Sequence, residues 1–248
     1  KLNNNDELMG VELTNNEEDI LLSTSNGKCL RFPVSSLRLF SGLNSGGVKG
    51  IQLEGNNFVI SLSVLHHSFI DMSIRQEYLK YASANRKNIS NNKRHDFAQL
   101  DENEEFLLSV TTKGYGKRSS AYEYRISSRG RKGITGILTT PKNGKVIDCF
   151  VVKDNDQLIL VSDKGQIIRV NINQIRIAGR TTQGVTIFKI PKEIIILRTS
   201  VIADSITSVD FVRSDKFNMR TMGTTTAGEI LPRTDPINRA GISSFPMR

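Results

Sequence analysis

The stretch Leu158–Val170, LILVSDKGQIIRV, followed by Arg180–Ile187, RTTQGVTI, decides the fold because it is the third copy of one cassette. The first copy is Ile20–Phe32, ILLSTSNGKCLRF, with Ser45–Ile51, SGGVKGI. The second is Phe106–Ser120, FLLSVTTKGYGKRSS, with Ser128–Ile134, SRGRKGI. Each copy is an apolar strand, a glycine, a basic residue four places later, and a second glycine in a polar loop. Arg31, Arg118 and Arg169 hold the same offset from Gly27, Gly114 and Gly165, and the second glycines are Gly50, Gly133 and Gly184. Gly114 and Gly165 are 51 residues apart, a period proper to a blade of a sheet array and too long for most helical solenoids.

Outward from the cassettes, alternation and turn residues predict strands at Glu7–Leu13, Ile20–Ser23, Cys29–Phe32, Gly50–Glu54 and Phe58–Leu65. The second unit predicts Phe106–Val110, Gly116–Tyr124, Gly133–Thr139 and Val146–Val152. The third predicts Gln157–Val161, Ile167–Val170 and Val185–Ile190, with Glu193–Leu197 as a closing strand. Four strands then fill one unit. Sheets of this size cannot bury both faces alone, so stacking must supply the core. Between the first two units the period lengthens, which marks residues 71–105 as a surface insertion. Its first half, with Met72, Arg75, Leu79 and Ala82 at helical steps, reads as a short helix; its second half is polar and expected to be mobile. After residue 190 the cassette stops. The chain is therefore expected to divide into an all-β domain at 1–190 and a divergent tail at 191–248.

Composition narrows the function classes. A formal charge of +9 and a pI near 9.6 favour an acidic partner, most often nucleic acid. Cys29 and Cys149 each lie in an apolar run and form no disulfide framework, which suits buried thiols and a reducing cytoplasm. No run approaches the length of a membrane helix, and KLNNNDELMG lacks the apolar core of a signal peptide. The chain starts without methionine in the middle of a pattern, and it reads as a piece of something longer.

No spacing joins His66, His67 and His95 to further metal ligands. Asp154, Asp156 and Asp163 fall at turns, where Asp bonds the backbone. Ser23, Ser109 and Ser162 have neither a nucleophile elbow nor a partner histidine. The residues thus imply no catalytic site, metal or cofactor. Tyr115 and Tyr124 are expected to pack on sheet faces. The recurring signal is basic: Lys28 with Arg31, Lys117 with Arg118, and Lys164 with Arg169 on successive hairpins. Lys49, Lys132 and Arg180 form a second row, and Arg125, Arg129 and Arg131 make the second unit the most basic. Such rows on a curved array form a track suited to bending a duplex with little base readout.

The pieces DELMGVELT, ILLSTSNGKCLRF, GGVKGIQL, TTKGYGKRSSAYEY, SRGRKGITGI and DQLILVSDKGQIIRVNINQIRIAGRTTQGV together resemble the C-terminal domain of the A subunit of bacterial DNA gyrase, in its alphaproteobacterial type. The resemblance implies a partial β-pinwheel of about three four-stranded blades. It also implies non-sequence-specific binding and wrapping of duplex DNA in the nucleoid, other gyrase regions and subunits as partners, and negative supercoiling only in the holoenzyme. Gly116-Lys117-Arg118 and Arg129–Gly133 would be rim elements of one blade. The heptapeptide box of the family's first blade is absent, SSRGRKG at Ser127–Gly133 being a later-blade echo. The cleavage and reunion portion is absent as well, so no topoisomerase activity is expected of this chain alone. Either a truncated gene product or an excised fragment would show these boundaries. The related domain of topoisomerase IV and a protein-interaction propeller are the alternatives. Unpaired blade faces at the ends of a short array predict self-association.

Overall fold

The computed structural model describes residues 6–40, 45–87, 95–189, 191, 194–202, 220–225 and 229–233. The strands in chain order begin with β1 (Leu8–Thr14), β2 (Glu18–Thr24), β3 (Lys28–Pro33), β4 (Val48–Lys49) and β5 (Val59–His66). After the helices α1 (Met72–Asn85) and α2 (Ala98–Glu102) come β6 (Phe106–Thr111), β7 (Tyr115–Ser120), β8 (Ile134–Thr135) and β9 (Val146–Val152). They are followed by β10 (Gln157–Ser162), β11 (Ile167–Asn171), β12 (Val185–Thr186), β13 (Ile196–Ile202), β14 (Arg220–Thr225) and β15 (Glu229–Arg233).

These strands form small antiparallel sheets ordered β5-β2-β3-β8, β9-β6-β7-β12 and β13-β10-β11, one for each cassette. A fourth sheet, β1-β14-β15-β4, draws on both ends of the described chain. The all-β, propeller-like architecture with a helical insertion is therefore the observed one, and in the segment expected to be an irregular tail the described residues include the strands β13, β14 and β15. One expectation changes in an informative way. The outer strand of a blade is not its own, because β8 of the second unit pairs with β3 of the first and β12 of the third pairs with β7 of the second. The second glycine makes this exchange possible. At Gly133 (φ 75°) a Cβ would lie 2.6 Å from the Cys29 carbonyl oxygen, and at Gly184 (φ 80°) 2.7 Å from that of Gly116, so only glycine lets the two backbones meet.

Several boundaries move accordingly. The predicted strands Gly50–Glu54, Gly133–Thr139 and Val185–Ile190 shrink to the two-residue pairs β4, β8 and β12. In the first unit the pairing starts after Gly47, not after Gly50. The predicted Gly116–Tyr124 strand ends at Ser120, whose hydroxyl accepts from the Tyr122 amide and starts a 3-10 turn. The closing strand lies at Ile196–Ile202, later than Glu193–Leu197, and pairs with β10.

Stacking supplies the core, as sheets of this size require. Ile20, Leu22, Leu30 and Phe32 face one side of the first blade, while Leu21 and Cys29 face the other with Leu107, Tyr124 and Cys149 of the second. Leu108 and Val110 then pack against Leu158, Leu160 and Ile196 of the third. The insertion is more than a surface excursion. Tyr78 and Ala82 of α1 are buried with Phe97 and with Tyr122 of the second unit, and the Tyr78 hydroxyl donates to Asp101 Oδ1 (2.8 Å) and Glu104 Oε2 (2.9 Å). The buried side of α1 is thus Tyr78–Ala82, while Met72 is exposed. Residues 95–105, expected to be mobile, include a 3-10 turn (His95–Phe97) and α2; residues 88–94 lie outside the described residues.

Candidate nucleic-acid interface

The expected basic rows separate into two groups of different chemistry. Arg31, Lys117 and Arg118 are buried, with 3%, 0% and 5% of their surface exposed. This corrects their reading as phosphate contacts. Arg31 Nε donates to Asp19 Oδ2 at 2.7 Å, and its two terminal nitrogens donate to the carbonyls of Ala121 (2.9 Å) and His66 (2.8 Å). Asp19 also meets His67 Nδ1 at 2.7 Å. Arg118 donates to the carbonyls of Ile175 (2.8 Å) and Asn173 (3.3 Å) and pairs with Asp154. The two arginines do the same work in successive blades. Each reaches from its own hairpin to the connecting segment of the next unit, and a parallel bridge beside each (Arg31 with Ile126, Arg118 with Ile177) completes the join. A buried guanidinium with several carbonyl partners is held by charge-assisted bonds, and it has little capacity left for a ligand.

Lys117 lies in the same seam. Its ammonium donates to the carbonyl of Gly179 (2.6 Å) and to Thr182 Oγ1 (3.3 Å). Burial lowers its pKa to about 8, against the opposing pull of Glu123. Cys29 and Cys149 are free and buried in one cluster at this seam, the Ser23 hydroxyl lying 3.4 Å from the Cys29 sulfur and the Ser109 hydroxyl donating to the Cys149 sulfur at 3.5 Å. The neighbouring Cys149 thiol and burial push the Cys29 thiol well up. Tyr124 is buried among them, although it follows the 3-10 turn and does not lie in a strand as expected.

The second group is accessible. Lys49, Arg125, Arg131, Lys132, Lys164 and Arg169 are exposed, and Lys28, Arg129 and Arg180 are partly so. The loops of the first and second units bring four of these together. Arg129 donates to the Lys49 carbonyl (3.2 Å), the Gly130 amide to that of Gly50 (2.5 Å), and the Gln52 amide to that of Arg131 (2.9 Å). Lys132 pairs with Glu54 at 2.7 Å, both in solvent. The result is a basic ledge whose backbone is fixed and whose cations reach solvent, Arg131 Nε also donating to Ser128 Oγ (2.7 Å), beside a cleft lined by Arg125, Ser127, Arg131 and Lys132. At the next seam Arg180 holds the Thr135 carbonyl (2.9 Å), and its amide donates to Glu123 (2.7 Å). Lys164 and Arg169 stand apart on the third hairpin, where Arg169 meets Gln157 of its own sheet. Sequence reading missed Arg176, an exposed cation between the third hairpin and β12; its place four residues before Arg180, in the same linking loop, was the available signal.

Among the described residues no group of three or more His, Cys, Asp or Glu side chains is placed to hold a metal ion. No helix among them is long and apolar enough to cross a membrane.

Small four-stranded blades that take their outer strand from the following unit, joined by basic loops, define a propeller-type domain built to present a charged edge. The pattern of the family described as DNA gyrase C-terminal domain, beta-propeller, matches residues 18–66, 105–153 and 156–193, more than half of the chain. The chain belongs to this family and corresponds to the non-catalytic C-terminal domain of a type IIA topoisomerase A subunit. Among curated relatives, the DNA gyrase A subunit of Granulibacter bethesdensis is 40% identical over 219 residues, covering 78% of this chain and 23% of the relative. That of Rickettsia bellii is 37% identical over 217 residues, covering 83% and 24%. The chain thus spans about a quarter of the length of these relatives. The fold is similar to that in the crystal structure of the C-terminal domain of DNA topoisomerase IV, with a TM-score of 0.63 at 19% identity, over 82% of this chain and 52% of that one.

Proposed function

We propose that this chain binds duplex DNA without reading its sequence, along the exposed cations of its linking loops, and bends it. In a gyrase A subunit that bending would support negative supercoiling by the holoenzyme. The observation that carries the proposal is the ledge of Lys49, Arg129, Arg131 and Lys132, stitched by backbone bonds across the seam of two blades. A fixed backbone that carries solvent-facing cations suits phosphate contacts, which position a duplex but carry no base information. The loop cations at the next seam continue the edge, so a duplex following it would be bent. The sequence relatives named above are gyrase A subunits, at 40% and 37% identity, which favours gyrase over topoisomerase IV; the shared fold does not separate the two.

The test is topological. A nicked plasmid religated with the purified chain should show a linking-number shift that grows with the amount of chain bound. Binding without any shift would leave contact in place but remove bending.

A further inference from the structure

The first two units are joined unlike the second pair. Between β9 and β10 the connection is Lys153–Asp156, whereas between β5 and β6 it is the insertion, residues 67–105. A connection of that length does not by itself hold its two ends together, because closing a longer loop costs more entropy. Here the ends are tied. The His66 amide donates to Glu105 Oε2 (2.9 Å), and the His66 carbonyl accepts from Arg31 (2.8 Å). The Glu105 carbonyl accepts from the Ala121 amide (2.8 Å), and the Ala121 carbonyl accepts from Arg31 (2.9 Å). Both ends of the insertion therefore meet at the 3-10 turn Ala121–Glu123.

That turn recurs in each unit, as Val34–Ser36, Ala121–Glu123 and Ile172–Gln174. Its first residue is buried every time: Val34, Ala121 and Ile172. Its second residue is Ser35, Tyr122 or Asn173. Ser35 and Asn173 are exposed, while Tyr122 is 5% exposed. The turn itself thus forms without an aromatic side chain at this place, and what Tyr122 serves is the insertion. Its ring meets that of Tyr78 in α1 edge to face at 5.4 Å, and its hydroxyl donates to the Leu100 carbonyl in α2 (3.2 Å).

Three residues further on is Arg125, at the cleft beside the basic ledge. Ile126 then bridges Arg31, and the Ser127 amide donates to the Arg31 carbonyl (2.9 Å). The segment leading into the ledge is held by the insertion at Tyr122 and by β3 at Ile126 and Ser127.

We propose that Tyr122 is a positioning residue. By docking the insertion against the turn it fixes the angle between the first two blades, and with it the bend that a duplex takes along the ledge. The second half of this statement rests on the DNA reading above. Tyr122 is buried and uncharged, so it acts on the shape of the bound duplex and not on the number of phosphates neutralised.

The test pairs a distance with a topology. Tyr122→Ser installs the residue that the first unit carries at this place, Tyr78→Ala undocks the insertion from its other side, and Tyr122→Phe keeps the ring. Spin labels on Ser35→Cys and Lys145→Cys, both exposed positions, report the separation of the first two blades without DNA, the native Cys29 and Cys149 being buried. The wild type and Tyr122→Phe should give one narrow distance, and Tyr122→Ser and Tyr78→Ala a broad distribution. On nicked plasmid the two undocked variants should lose about half or more of the linking-number shift per bound chain, with the salt slope of affinity unchanged. A narrow distance in both undocked variants overturns the proposal. So does a broad distribution with the full shift per bound chain, or a salt slope that falls along with the shift, because Tyr122 would then hold contacts and not an angle. No shift from the wild type would overturn the bending reading and the bend assigned here with it; the distance, which needs no DNA, still decides the blade angle and tells the two failures apart.

Discussion

Arg31 and Arg118 show why the repeating basic residue need not be a ligand contact. The sequence places an arginine four residues after each hairpin glycine, and that regularity reads equally well as a charged rim or as a recurring joint. Burial separates the two: Arg31 and Asp19 are both enclosed, with every guanidinium nitrogen engaged. Breaking a buried pair from one side leaves an uncompensated charge, so Asp19→Ala should lower stability by about 3–5 kcal/mol in urea unfolding. Arg131→Ala, on the exposed loop, should leave the urea midpoint unchanged. Lys117 adds a pH signature. Its pKa is lowered to about 8 in the fold, so between that value and the ordinary lysine range the unfolded chain binds the extra proton and stability rises with pH. Cys29 and Tyr124, whose pKa values are raised, act in the opposite sense at alkaline pH, because their unfolded forms lose protons first. The comparison with Lys117→Met isolates the lysine. Between about pH 8 and 10 the wild type should gain stability relative to that variant, and parallel profiles would show that Lys117 is not buried as a cation at neutral pH.

At the scale of elements, the strand exchange explains what was legible and what was not. Hairpins β2–β3, β6–β7 and β10–β11 were readable to within a residue or two, save that β7 ends at Ser120 and not at Tyr124, because alternation and a turn glycine are local signals. The two-residue strands were over-extended, because GITGIL and GVTIF look like ordinary strands when no partner is known. Their partners lie in another unit, and sequence periodicity carries no record of that. For the same reason the ledge was half visible: its cations were named from the sequence, while the bond that gathers Lys49 with Arg129, from guanidinium to carbonyl, joins residues 80 apart. Gly184→Ala tests the exchange directly. A methyl group there meets the Gly116 backbone at 2.7 Å with φ at 80°, so the change should cost about 1–3 kcal/mol and raise hydrogen exchange first in β12 and β7. In the insertion, Tyr78→Ala removes the side chain on which Phe97 and Tyr122 close at 5.7 and 5.4 Å between ring centres. It should release α1 to exchange while β6 and β9 keep their protection.

For the whole molecule, the division is between charges that hold blades together and charges exposed on the linking loops, which the proposed function assigns to phosphate. A net charge of +9 could not reveal that division, since buried and exposed cations count alike. The most direct measurement is the affinity of the chain for a duplex across a salt series, for the wild type beside Arg125→Ala/Arg131→Ala/Lys132→Ala. Each phosphate no longer neutralised should lower the slope of log affinity against log salt by about 0.9, so the triple variant should bind more weakly at low salt with a slope smaller by about 2–3. An unchanged slope and affinity, from a variant that melts like the wild type, would contradict the assignment of this ledge to DNA.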